Sequence, residues 1–181
     1  MKRNFLRNLL ILIIFLPSAS WAQKSSADKI FEQYSGKDGF TSVDITKGLF
    51  ELFAEIDADD PEFEEFQQAL KGLESLRLLA YSLEDGKGNQ AEKDKFMQDI
   101  KDGVSLKDFK ELMVVRDKDA NVNFYAKNNN QVINEMIMIV DGKDEAVLLS
   151  LSGDIDLNHI AKLGSAMDLG GMQYLGKMKS K

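Results

Sequence analysis

The side chains able to do chemistry are of few kinds, and carboxylates dominate them. Asp57, Asp59, Asp60, Glu62, Glu64 and Glu65 crowd between residues 57 and 65. Calcium takes carboxylate oxygens, so Asp57, Asp59 and Asp60 are candidate metal ligands. The spacing of an EF-hand loop fails, however, because its fifth position is Pro61 and its sixth, a required glycine, is Glu62. A solvated helix start, whose acids complement the positive end of the helix dipole, is the favoured reading. Asp117, Asp119 and Asn121 match the first three ligand positions of such a loop, but Val122 replaces the glycine and Asn128 the closing Glu. Asp154, Asp156 and Asn158 match in the same way, with His159 and Ser165 at the failing positions. A hairpin turn accounts for the first set and helix capping for the second.

His159 is the sole histidine and the only imidazole base; Asp154 or Asp156 is near enough in sequence to orient it in a hydrolase. No G-x-S-x-G elbow occurs, and Ser150 and Ser152 sit in an ordinary alternating strand. Gly86-x-Gly88 lacks the third glycine of a dinucleotide loop. With no cysteine, disulfides, thiolate metal sites and a thiol nucleophile are excluded; with one histidine, so are His-pair zinc motifs. The residues point to no cofactor, no catalytic residue and a non-enzymatic protein.

Any such site must be carried by a framework, and the chain begins with a segment of another kind. Lys2, Arg3 and Arg7 precede the apolar run Leu9 to Leu16, which Pro17 ends, and Ser20-Trp21-Ala22 places small residues where a signal peptidase reads. The run is short of the roughly 20 residues that a membrane-spanning helix needs. The expectation is a signal peptide over 1–22, cleaved between Ala22 and Gln23, with no stable membrane span afterwards and a periplasmic or secreted location. The whole chain carries a formal charge of -7. Losing three basic residues and no acid leaves 20 basic against 30 acidic residues, a net -10. That balance argues against nucleic acid and anionic membranes as partners. It is uneven: Ile155 to Lys181 has four lysines against two acids.

Periodicity predicts a helix over Asp28 to Tyr34, a strand over Ser42 to Thr46, and a helix whose apolar stripe is Leu49, Leu52, Phe53 and Ile56. Asp60-Pro61-Glu62 starts another helix, with Phe63, Phe66 and Leu70 as its stripe. Leu76 to Ser82 reads as a buried strand and Ala91 to Asp102 as a helix with Phe96 and Ile100 inward. Strands are predicted over Leu112 to Arg116, Val122 to Ala126, Val132 to Val140 and Ala146 to Leu151, joined by short polar links, which makes an antiparallel meander. The third strand is apolar on both faces, as a central strand should be. Glu135 on it must reach an exposed end or find a partner. Gly153 is expected to end the meander, Asp154 or Asp156 to cap a last helix over Leu157 to Leu163, and residues 164–181 to form a loosely ordered tail. The fold expected is α+β, one domain over 23–163, with helices packed on a single antiparallel sheet.

The order of segments resembles a known family. "TSVDITKGLFELF" (Thr41 to Phe53), "LKGLESLRLLAYS" (Leu70 to Ser82), "FKELMVVRDKDANVNFYAK" (Phe109 to Lys127) and "VINEMIMIVDGKDEAVLLSLSGDIDLNHIAKL" (Val132 to Leu163) resemble the Bacteroidota domain of unknown function 4252. The resemblance implies an exported protein of a Gram-negative envelope. Some members are lipoproteins, and this chain departs from them by lacking the lipobox cysteine. The family has no established activity, so no catalytic or binding residue carries over. The function expected is an interaction or regulatory module with a protein partner in the envelope. A small-ligand or calcium-binding module and a hydrolase using His159 are the alternatives. His159→Ala is therefore expected to fold normally, to shift stability by no more than about 1 kcal/mol in urea denaturation and to complement a deletion as wild type does. A folded variant that fails to complement would place a site between Asp154 and His159.

Overall fold

The computed structural model describes residues 25–57, 61–83, 88–129 and 132–156. Helix α1 (Ser26–Tyr34) leads into strand β1 (Phe40–Thr46), followed by α2 (Lys47–Ala54), α3 (Pro61–Leu70), β2 (Leu73–Ser82) and α4 (Gln90–Gly103). Four strands complete the order: β3 (Lys110–Arg116), β4 (Ala120–Asn129), β5 (Val132–Gly142) and β6 (Glu145–Ile155). All six strands form one antiparallel sheet in the order β1-β2-β6-β5-β4-β3. The fold is therefore α+β, and β3 to β6 form the expected meander. Among the described residues no helix is long and apolar enough to cross a membrane.

Local chemistry explains where the elements begin. Ser25 and Asp28 exchange side-chain and backbone hydrogen bonds, each 3.1 Å, in a capping box that opens α1. Asn89 accepts from the Glu92 amide at 2.9 Å to open α4. Alternation along the strands sorts side chains to two faces. On one face Leu76, Phe124, Met136, Met138, Leu149 and Leu151 pack with Phe50 of α2 and with Ala69 and Leu70 of α3. On the other, Leu79, Tyr81, Ile137 and Leu148 pack with Ile30, Phe31 and Tyr34 of α1 and with Phe96 and Ile100 of α4. Strand β5 is buried on both faces, as its composition requires.

Two expectations need correction. Gly153 does not end the meander: β6 runs through it to Ile155, and the β2–β6 pairing shifts register beside it, between Leu73 and Ser75. There Gly153 has φ 133° and the backbones nearly touch. A Cβ on Gly153 would lie 2.3 Å from the Gly72 carbonyl oxygen, and one on Gly72 would lie 2.3 Å from the Asp154 carbonyl oxygen. Asp154 is accordingly a strand residue rather than part of a helix start. It lies within β6, its amide donating to the Gly72 carbonyl at 2.6 Å. The expected last helix, Leu157 to Leu163, and the tail lie outside the described residues. So does the leader.

Gly153→Ala combines a left-handed φ with a backbone collision and should cost about 1–3 kcal/mol or more in urea denaturation. Gly36→Ala, at φ 76° but with nothing within 4 Å of a new Cβ, should cost less. Equal losses would show that the Gly72–Gly153 contact is not tight.

Candidate functional site

Three groups of side chains stand out on this framework. The first is a polar row that crosses five strands on the α1 side of the sheet. Thr46 pairs with Ser75, Ser75 with Ser152, Ser152 with Glu135, and Glu135 with Lys127. Beside it run Asp44, Arg77 and Ser150 in the same registers. Arg77 bridges Asp28 of α1 (2.6 Å) and Asp44 of β1 (3.2 Å), with its guanidinium 5.5 Å from the Phe31 ring centroid. The hydroxyls of Ser75 and Ser152 are 2.7 Å apart. Ser25, Asp28, Lys127, Glu135, Ser150 and Ser152 line a recess of about 250 Å³. Glu135 is half-buried there, and loss of water raises its pKa, against the pull of the Ser25 hydroxyl and Lys127. The sheet thus meets the need for a partner at Glu135.

The second group ties α1 to α4. Asp99 accepts from Lys95 at 2.6 Å, from the Tyr34 hydroxyl and from Gln33 at 3.0 Å. These donors, Lys95 foremost, hold its carboxyl below the ordinary range. Nearby, the Tyr81 hydroxyl donates to Glu92 at 2.6 Å and accepts from the Asn89 amide at 2.8 Å. Burial raises the pKa of both phenols, and their neighbouring acids add to it. A tyrosine so held is a poor base or nucleophile, and its bonds lock helices in place.

The third group is apolar. Phe50 anchors α2 to the sheet at 5 % exposure, whereas Leu49 (40 %), Leu52 (62 %), Phe53 (38 %) and Ile56 (43 %) face outward. The stripe read from the sequence is real, but it points to solvent. Val43 of β1, a strand at the edge of the sheet, is also exposed. Such a contiguous exposed patch marks an interaction surface more than scattered single residues do. Exposed Glu51, Glu55 and Asp57 lie among these residues, so the patch has an acidic rim. Gln67 of α3 fixes the end of α2 by donating to the carbonyls of Phe53 (3.0 Å) and Ile56 (2.5 Å).

The residues singled out from sequence fare differently. Asp57 is exposed, while Asp59, Asp60, His159, Ala22 and Gln23 lie outside the described residues. Among the described residues no three His, Cys, Asp or Glu side chains are placed to share a metal ion. Asp117 sits in the β3–β4 turn, accepting from the Lys118 amide at 2.6 Å, as a turn aspartate does. Ser150 and Ser152 join the polar row and the recess. Sequence reading missed that row. Its only signal is polar residues two apart near the ends of two strands, Ser75 with Arg77 and Ser150 with Ser152.

A family model described as Domain of unknown function (DUF4252) matches residues 34–163. The chain belongs to this family. The DUF4252 match takes in every strand of the sheet, α2, α3 and α4, and continues past β6 to residue 163. No curated protein and no solved structure matches the chain.

Glu135 makes stability depend on pH in a calculable direction. Unfolded, its carboxyl titrates near the ordinary 4.5; folded, it holds its proton to higher pH. Its contribution is full below 4.5 and lost as pH rises through the raised folded value. Glu135→Gln should therefore gain on wild type as pH rises above 4.5, and the difference should level off once pH has passed the raised folded value. Urea midpoints of both proteins at each pH check it; a difference that falls with pH would mean that Lys127 and Ser25 outweigh desolvation.

Proposed function

We propose that this chain is an exported, non-enzymatic interaction module of the cell envelope that docks a basic, apolar segment of a protein partner on the α2 face. The observation that carries the reading is the outward stripe of Leu49, Leu52, Phe53 and Ile56, held rigid by Phe50 beneath and Gln67 alongside. The rim selects the partner's charge. Lys47 to Glu65 contains eight acids and one lysine, so a segment placing Lys or Arg around its apolar face is favoured over an acidic one. The export reading is supported by the composition of residues 1–22. The non-enzymatic reading is supported by how the described polar clusters are used: each closes on a partner that positions a helix or strand.

The test uses two synthetic amphipathic peptides, one of Leu and Lys and one of Leu and Glu, followed by fluorescence anisotropy. The Leu/Lys peptide should bind, the Leu/Glu peptide should not, and Leu52→Glu should weaken binding at least about tenfold, the loss expected when a central contact worth some 1.4 kcal/mol is removed. Leu52 belongs to neither buried cluster, so the variant should fold as wild type does. Unchanged peptide binding by folded Leu52→Glu would remove the α2 face from the function.

A further inference from the structure

The outward stripe on α2 has a complement in the same chain. Residues 157–181 carry Leu157, Ile160, Leu163, Met167, Met172, Leu175 and Met178, an apolar residue every three to five positions. They carry four lysines, 162, 177, 179 and 181, against one acid, Asp168. That is the charge the rim of the stripe calls for.

The place from which this segment departs also suits it. Strand β6 ends at Ile155, and the Asp154 amide is bonded to Gly72, just beyond the end of α3. One turn back along α3, Gln67 is bonded to the end of α2. The segment therefore starts on the flank of the α2–α3 pair. Seven extended residues reach about 23 Å, and the remaining chain to Lys181 extends that several-fold. The family match also runs to residue 163, past the last strand, so the unit that the family shares includes the beginning of this segment.

We infer that, in the free protein, residues 157–181 occupy the α2 face, with apolar side chains on Leu49, Leu52 and Phe53 and lysines against Glu51, Glu55 and Asp57. The inference rests on reading that face as a docking surface and names its resident occupant, which an external partner must displace. A second copy of the chain is a poorer occupant, because two faces each rimmed by the Lys47 to Glu65 acids repel. Tethering favours the segment further, since a linked binding element acts at millimolar effective concentration.

The chain has no cysteine, which permits a direct test on residues 23–181. Leu52→Cys is combined in turn with Ile160→Cys, Leu163→Cys, Met167→Cys and Met172→Cys, and disulfide formation under mild oxidation is followed by mass spectrometry at dilute protein. Lys118→Cys, on the exposed β3–β4 turn at the far side of the sheet, replaces Leu52→Cys as the reference. At least one Leu52→Cys pair should close within the monomer about tenfold faster than its reference, at a rate independent of protein concentration. Replacing Lys177, Lys179 and Lys181 by Glu should slow that closure. Closure no faster than the reference overturns the inference, and so does closure only between chains, which would make a second copy the occupant. The synthetic peptide separates the two readings: a Leu/Lys peptide that binds wild type but not Leu52→Glu, beside disulfide rates at reference level, leaves the docking face standing and removes the segment from it.

Discussion

A sheet that is apolar on both faces must be covered on both, and the rest of this structure follows from that constraint. Met136, Met138 and Val140 of β5 project to one side and Ile137 and Ile139 to the other. Leu149 and Leu151 of β6 oppose Leu148 in the same way. Each such side chain gains about 1.5–3 kcal/mol from full burial, so neither face can be left to water. Helices α1 and α4 serve one face and α2 and α3 the other. The two pairs are not equivalent. Helix α1 turns Ala27, Ile30, Phe31 and Tyr34 inward, whereas α2 gives the sheet Phe50 and turns its larger apolar surface away.

That inequality marks where the fold could be read from sequence and where it could not. The meander was legible because short polar links between β-rich runs leave few other topologies, and the two-faced apolarity of Met136 to Val140 announced a central strand. The position of β2 between β1 and β6 was not, because pairing between distant segments leaves no local periodicity. Gly153 misled for a related reason. A glycine between apolar residues and Asp-Ile-Asp looks like a stop, and only the Gly72 backbone beside it shows why the strand needs it there. For the candidate site, periodicity identified Leu49, Leu52, Phe53 and Ile56 as one stripe. Which way the stripe points is decided by Phe50, between its members, reaching the sheet first.

The polar groups show how a strongly acidic chain places its few cations. Arg77 stands between Asp28 and Asp44 and ties the capping box of α1 to the edge strand through β2. Lys95 joins Asp99 to Tyr34 across the α1–α4 contact. Lys93, almost fully buried, and Lys101 both approach Asp141 and so pin α4 to β5. These bridges lie on the α1 and α4 side. On the other side the described bridge of α2, Lys47 to Glu51 at 3.3 Å, is an exposed pair within one helix, worth a few tenths of a kcal/mol. Among the described residues, electrostatic fastening and the outward apolar stripe thus fall on opposite layers.

The sheet order also sets the sequence of events by which the chain can fold. Strand β2 lies between β1, close to it along the chain, and β6, which is separated from it by α4 and three further strands. Until Glu145 to Ile155 arrive, β2 presents an unpaired edge, and Leu79 and Tyr81 lack Leu148 and Ala146 beside them. Closing so long a loop is slow, because its entropy is lost before its contacts form. A growing chain can pair β1 with β2 across α2 and α3 before β6 is made, but cannot seal either layer until β6 is present. Of the six described strands, the one that locks both layers is therefore the last to be made.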